Sequence, residues 1–205
     1  MINKKGIIIG LVVVCAILFS LYLDSEIIKA VSMLRNELFD KFFLWITLVS
    51  SEIIIFFVLT ALFLWRENKR KWILPLWLCL GVSGMVSFLL KITIQRQRPF
   101  QMGIVPLLQS LESNSYSIWN FSFPSFQTML AFSAIPIISK QFPKFKYFWI
   151  GFAVLIGFSR LYFGLHFLSD VLAGALIGYL IGIIVIYLEK ENKFGERIYD
   201  RIMRR

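Results

Sequence analysis

Hydrophobic residues in this chain are gathered into long runs that are separated by short polar segments. A membrane-spanning helix takes about 20 mostly apolar residues, with a usable range of roughly 17–25. The runs that reach or approach this length are residues 6–23, 41–65, 72–90, 125–139, 147–164 and 171–188. We therefore predict an all-α fold, a polytopic bundle of six transmembrane helices that forms one domain over residues 1–205.

The polar segments between the runs are not uniform. Residues 24–40 carry apolar side chains at helical spacing among charges, which predicts an interfacial helix between the first two spans. Residues 100–123 form a longer loop on the same side of the membrane. The fourth run is the shortest and carries Gln127, so its start at Pro124 and Ser125 is expected to pack against protein rather than lipid.

Composition agrees with a membrane protein. The 205 residues are 58% hydrophobic and 17% charged, which excludes a disordered chain and exceeds what a soluble domain of this size can cover. Cys15 and Cys79 both lie inside apolar runs, so they indicate neither a disulfide framework nor a metal cluster. The net charge of +10 comes from basic residues in short runs between apolar segments, which is the pattern of membrane topology and not of nucleic-acid binding.

Basic residues also predict the orientation in the membrane. Fifteen Lys and Arg residues fall on the side of the termini and seven on the other side. Cytoplasmic loops carry the excess of Lys and Arg, so both termini are expected in the cytoplasm of a multi-pass cell-membrane protein. The first run begins after Lys4 and Lys5 and lacks a cleavage site after Leu23, which favours an uncleaved signal anchor.

Hydrophilic residues on the predicted outer side collect at residues 91–99, 124–127 and 159–170. Lys91 and Arg98 lie two helical turns apart on one face if the helix persists, and Arg160 adds a third cation. Together with free backbone N–H groups at a helix start beside Ser125, they make a site suited to a phosphate. Singly, each has an ordinary explanation, because flanking cations often extend to the membrane surface and serine often begins a helix.

His166 is the only histidine in the chain, and a lone histidine is more often structural than catalytic. Beside a phosphate site, however, one ring nitrogen can attack phosphorus. Asp170, four residues on, can then accept a hydrogen bond from the other ring nitrogen and stabilise the developing positive charge. No acidic cluster suited to a divalent metal accompanies these residues, so metal-independent phosphoryl transfer without a cofactor is predicted.

At these residues the chain resembles the type 2 phosphatidic acid phosphatase family, integral membrane lipid phosphatases whose pocket is similar to that of vanadium haloperoxidases. The family carries three ordered motifs, K-x6-R-P, P-S-G-H and S-R-x5-H-x3-D. The first and third are complete here, in Lys91, Arg98, Pro99, Ser159, Arg160, His166 and Asp170. The resemblance implies that phosphate is bound by Lys91, Arg98, Ser125, Phe126 and Arg160. It also implies that His166 forms a phosphohistidine intermediate that Asp170 orients.

The second motif departs from the family pattern. Phe126 replaces its glycine, and Gln127 replaces the histidine that protonates the leaving group. Positioned acid catalysis supplies a factor of about 10²–10⁴. An alkoxide leaving group is highly basic and needs that proton, whereas a phosphate monoester, with a second pKa of about 6, can depart as an anion. Gln127 can still donate a hydrogen bond to the departing oxygen. A polyprenyl diphosphate of undecaprenyl or dolichyl type is therefore the predicted substrate.

Two alternatives remain open. One is a phosphatase for a monoester, phosphatidic acid or phosphatidylglycerophosphate. The other is a catalytically silent membrane protein that binds lipid phosphates, which the loss of the second histidine favours and the intact His166 and Asp170 pair opposes. Glu52, near the middle of the second run, is either a neutral carboxyl bonded to a neighbouring helix or a replacement for the missing acid.

Overall fold

The computed structural model describes residues 4–108, 111 and 121–203. The helices are α1 (Lys4–Ser32), α2 (Glu37–Val49), α3 (Glu52–Trp65), a 3₁₀ segment (Glu67–Trp72), α4 (Ile73–Ile94), α5 (Phe126–Gln141), α6 (Lys146–Tyr162), α7 (Leu168–Asn192) and α8 (Phe194–Met203). All regular structure in these described ranges is helical, which confirms the predicted all-α class. Residues 109–110 and 112–120 of the predicted loop 100–123 lie outside the described residues.

Two helical stretches in the described residues are long and apolar enough to cross a membrane, Glu67–Ile94 and Leu168–Asn192. The pair formed by α2 and α3 makes a third if it is taken as one bent span. Helix α5, with 16 residues, falls just short of the usable range of roughly 17–25 residues, and α6, with 17, lies at its lower limit. The bundle of six spans therefore stays a prediction.

The region between the first two spans differs from the prediction. Residues 24–32 continue α1 without a break, and residues 37–40 already belong to α2. The connection is only residues 33–36, where the Asn36 side chain accepts a hydrogen bond from the Phe39 N–H and begins α2. The prediction that these residues are helical was correct, but they extend two neighbouring helices and do not form a separate interfacial helix.

The second hydrophobic run is broken in its middle. Ser50 ends α2, and the hydroxyl of Ser51 accepts a hydrogen bond from the Ile54 N–H at 3.4 Å to begin α3. The two helices meet at 63°. Adjacent serines bond to backbone more readily than apolar residues do, which explains the break within an otherwise continuous run. The bend leaves Glu52 in the first turn of α3 instead of the middle of a long helix.

Helix α5 lies at the centre of the bundle and packs along α7, with further contacts to α4 and α6. Ser125, its N-cap, is fully buried, which confirms that the start of the fourth run packs against protein. Three glycines spaced four apart on α7, Gly174, Gly178 and Gly182, allow the two backbones to approach closely. A Cβ at Gly174 would lie 2.7 Å from the Ser125 carbonyl oxygen.

Replacing Gly178 by alanine should destabilise the protein, because the new Cβ would overlap the carbonyl oxygen of Met129 on α5. A backbone oxygen cannot rotate away, so α7 must move off α5, at a cost of about 1–3 kcal/mol in the free energy of unfolding. The matched control is Gly151→Ala on α6, where a Cβ meets nothing within 4 Å. In detergent, Gly178→Ala should therefore unfold at a lower temperature than Gly151→Ala. Equal midpoints for the two variants would contradict the close packing of α7 against α5.

Candidate active site

The structure brings the three motif regions into contact. Arg98, in the segment after α4, lies against His166 in the connection between α6 and α7. The backbone N–H of Ser125, at the start of α5, donates to the backbone oxygen of Asp170 on α7 at 3.1 Å. Segments that are 40 to 70 residues apart in sequence thus form one polar cluster.

The His166 ring is held in one orientation. Its Nδ1 lies 2.6 Å from the carbonyl oxygen of Ser122. A carbonyl oxygen only accepts, so the hydrogen of the neutral ring is on Nδ1 and the lone pair is on Nε2. Nε2 lies 3.3 Å from Nη1 of Arg98. The unprotonated nitrogen of His166 therefore points toward the cationic guanidinium of Arg98.

The charge state of His166 favours nucleophilic attack. The ring is 1% exposed, and burial lowers its pKa well below 6.5. The positive charges of Arg98, Lys91 and Arg160 lower this pKa further. Burial also lowers the pKa of Arg98, to about 10, which still leaves the guanidinium charged at neutral pH. A neutral imidazole beside a charged guanidinium is the combination that attack on a phosphate requires.

Asp170 acts on His166 less directly than the sequence predicted. Its nearer carboxylate oxygen lies 3.9 Å from Nδ1, which is too long for a hydrogen bond. The same oxygen accepts hydrogen bonds from the Ser122 hydroxyl at 2.5 Å and the Phe167 N–H at 2.8 Å. Asp170 thus fixes both backbone segments that hold the ring, while the Ser122 carbonyl fixes the tautomer.

Two charged residues that the sequence analysis did not single out support Asp170. Nη1 of Arg96 donates to Asp170 at 2.7 Å, and Nη2 donates to Asp24 on α1 at 2.7 Å. Asp24 is only 3% exposed and also accepts from the Ser169 N–H at 3.0 Å. Arg96 lies inside the first motif, and Asp24 directly follows the first apolar run. Both are charged residues next to predicted membrane spans, and this position was the sequence signal that could have identified them.

The segment before α5 supplies backbone groups to the site. Lys91 donates to the carbonyl oxygen of Phe121, and Ser122 uses both its hydroxyl and its carbonyl as described above. The Ser122 N–H donates to the carbonyl oxygen of Arg96 at 2.7 Å. Ser122 was missed because its contribution is mainly through backbone atoms, for which the residue type gives no signal.

Arg160 is buried in the last turn of α6. Its Nη2 donates to the Ser50 hydroxyl at 2.8 Å, at the bend between α2 and α3. Its Nε has no hydrogen-bond partner in the described part of the chain, and neither has the hydroxyl of Thr47. A buried donor without a partner costs free energy, so both groups are suited to a polar ligand.

A pocket of about 710 Å³ opens onto these groups. Its polar wall carries Arg98, Arg160, His166, Gln127 and Glu52. The remaining wall is mostly apolar and includes Leu44, Leu48, Ile53, Ile54, Phe100, Leu107, Leu111 and Leu165. The pocket therefore combines cationic side chains with a largely hydrophobic lining.

The second-motif residues are distributed differently. Gln127 faces the pocket, but Phe126 lines a separate cavity of about 240 Å³, together with Trp77 and Glu52. Ser125 is buried, with its hydroxyl 2.9 Å from that of Thr128. Because its N–H already donates to Asp170, a role of Ser125 and Phe126 in binding phosphate stays a prediction. Among the described residues, no group of three His, Cys, Asp or Glu side chains is placed to hold a metal ion.

Residues 72–194 match the model of the PAP2 superfamily. Phosphatidylglycerophosphatase B of Bacillus subtilis strain 168 is 30% identical over 190 residues, which cover 85% of this chain and 87% of that relative. This chain belongs to the PAP2 superfamily. The bacitracin transport permease protein BcrC of Bacillus licheniformis is 33% identical over 87 residues, 41% of this chain and 43% of that protein.

Solved PAP2-type structures have a similar fold. LpxE of Aquifex aeolicus is 30% identical and superposes with a TM-score of 0.66, covering 80% of this chain and 95% of that one. The transmembrane PAP2-type phosphatidylglycerolphosphate phosphatase of Bacillus subtilis gives a TM-score of 0.69 at 24% identity, covering 90% and 97% of the two chains. The PAP2 superfamily match contains all three motifs, whereas Asp24 and Glu52 lie before it.

Proposed function

We propose that this chain is a membrane lipid phosphatase that removes the terminal phosphate of a polyprenyl diphosphate through a phosphohistidine at His166. The observation that carries the proposal is the orientation of the His166 ring. Nδ1 is held by the Ser122 carbonyl, and Nε2 lies 3.3 Å from Arg98 at the wall of the pocket. Simple anion binding requires neither a neutral imidazole nor a fixed tautomer.

The phosphate is bound between the cations. Arg98 lies beside the nucleophile, Arg160 has a free buried Nε toward which a phosphate oxygen can point, and Lys91 adds positive charge nearby. Such donors form short, charge-assisted hydrogen bonds to phosphate oxygens. They also stabilise the charge on phosphorus as the transferred group passes through the transition state.

In the first step, Nε2 bonds to the terminal phosphorus and the bond from that phosphorus to the bridging oxygen breaks. The polyprenyl monophosphate leaves as an anion, so no proton has to be donated to it. The Gln127 amide, at the same pocket wall, donates a hydrogen bond to the departing oxygen. The imidazole ring becomes positive, and the Asp170 carboxylate at 3.9 Å stabilises that charge.

The apolar wall of the pocket supports a lipid substrate, because a chain of hydrocarbon units can lie against Leu44, Leu48 and Phe100 while the phosphate meets the cations. The bias of basic residues toward the termini supports an extracytoplasmic site. A second candidate is a monoester such as phosphatidylglycerophosphate, which is favoured by the name of the relative that matches over 190 residues.

The test compares phosphate release from undecaprenyl diphosphate, phosphatidic acid and phosphatidylglycerophosphate by the purified full chain in detergent, with a chelator in place of metal. We expect kcat/KM to be higher for the diphosphate by a factor of about 10²–10⁴, the contribution of a positioned acid. Gln127→His should restore that acid and raise hydrolysis of the two monoesters while changing the diphosphate rate little.

His166→Ala is the blank for contaminating phosphatases. Equal rates on the diphosphate and a monoester would contradict the leaving-group argument and favour the second candidate. Phosphate release from none of the three lipids, with or without Gln127→His, would refute the phosphatase and leave a lipid-phosphate-binding protein.

A further inference from the structure

The polyprenyl monophosphate leaves without an acid in the first step, but its departure does not complete the reaction. The phosphohistidine must still be attacked by water, and this water has to lose a proton. The histidine of the family's second motif could accept this proton, but Gln127, which takes its place here, cannot. Since His166 is itself phosphorylated at this stage and the chain has no other histidine, the base must be a different kind of residue.

We propose that Glu52 is this base, an inference that rests on the proposed function. Glu52 lines the same 710 Å³ pocket as His166, Gln127 and Arg160. It is also the only carboxylate-bearing residue among those that line it, within the described part of the chain. Asp170 is fully buried and already accepts three hydrogen bonds, from Ser122, Phe167 and Arg96, so it is not free to take a proton from water.

The local structure suits a negatively charged carboxylate at this position. The break at Ser50 and Ser51 places Glu52 in the first turn of α3, where the positive end of the helix dipole stabilises negative charge. Its charge also acts on that of Arg160 across the pocket. The side chain is exposed rather than enclosed, and it lines the pocket. Without the 63° bend, Glu52 would lie in the middle of an apolar helix.

In the second step, water attacks the phosphohistidine. The water oxygen bonds to phosphorus, the bond between phosphorus and Nε2 breaks, and its electron pair returns to Nε2. The water proton passes to a carboxylate oxygen of Glu52. Inorganic phosphate leaves, and Glu52 returns its proton to solvent. No metal or further reactant is needed.

The experiment measures the two steps separately, with undecaprenyl diphosphate labelled in its terminal phosphate and the reaction stopped in alkaline detergent, where phosphohistidine survives. Glu52→Gln should release one equivalent of polyprenyl monophosphate at the wild-type rate. Labelled phosphoenzyme should then accumulate, with steady-state turnover lower by a factor of about 10²–10⁴. Formate added to Glu52→Ala should shorten the lifetime of the phosphoenzyme, which a merely structural role would not allow.

Glu37→Gln is the matched control, because Glu37 is a glutamate in the first turn of the neighbouring helix α2 and does not line the pocket. It should behave as wild type. Two results would overturn the role of Glu52 while leaving the phosphatase in place. One is steady-state turnover by Glu52→Gln without accumulation of labelled phosphoenzyme. The other is an equal decrease in the rate of the first equivalent and in the steady-state turnover. No phosphate release by the wild type would refute the proposed function instead.

Discussion

Replacing His166 by asparagine should abolish both phosphate release and covalent labelling by a polyprenyl diphosphate. Asparagine keeps a donor near the Ser122 carbonyl but has no nitrogen lone pair to attack phosphorus. Loss of a covalent nucleophile costs on the order of 10⁴-fold or more in kcat, because the remaining groups only bind the substrate. The measurement is release of labelled phosphate together with alkali-stable, acid-labile label on the protein.

Substrate binding provides the internal control for this variant. Arg98 and Arg160 are unchanged in His166→Asn, so the lipid diphosphate should still bind, as measured by its protection of the protein against thermal unfolding. A variant that binds the lipid and retains more than about a hundredth of the wild-type rate would show that His166 is not the nucleophile.

Replacing Asp170 by asparagine should have the second-largest effect, a loss of about 10³–10⁴-fold in kcat. One Asp170 oxygen accepts from Ser122 and Phe167, and the other accepts from Arg96. An asparagine has one acceptor oxygen, so its amide nitrogen must face donors in either orientation. The Ser122 carbonyl then shifts, and the ring tautomer that presents Nε2 is no longer fixed.

Because the cations proposed to bind phosphate are untouched, Asp170→Asn should lower kcat much more than it raises KM. Steady-state kinetics on the diphosphate measure this difference, and Glu191→Gln, at the exposed end of the same helix, is the matched control. A wild-type kcat in folded Asp170→Asn would contradict the role assigned to Asp170 as the residue that positions Ser122 and the loop before α7.

The fold was predictable from hydrophobic run length where the runs are uninterrupted. The third and sixth runs correspond to α4 and α7, which are the clearest spans in the described residues. The second run was predicted as one helix but is two, because two adjacent serines in an apolar run do not reveal that one ends a helix and the other begins the next. Tertiary contact decides this point, since Ser50 also accepts from Arg160, which lies 110 residues away.

The candidate site was predictable where chemistry depends on residue type. His166, Arg98 and Arg160 were found because an imidazole near cations is rare in an apolar chain, and the structure places all three at one pocket. Ser122 and Asp24 were not found. Ser122 contributes a carbonyl that every residue possesses, and Asp24 reaches the site only through the packing of α1 against α7.

The contact between Asp24 and Ser169 also determines when the site can exist during synthesis. The two residues are 145 positions apart, so α1 enters the membrane carrying an unmatched acid long before its partners are made. Arg96 arrives with α4, but the Ser169 backbone and Asp170 arrive only with α7. A ribosome-bound chain that ends before α7 therefore contains His166 but lacks Ser169 and Asp170, so the Ser122 and Phe167 segments that hold the ring have no carboxylate to fix them until the last long helix has been inserted.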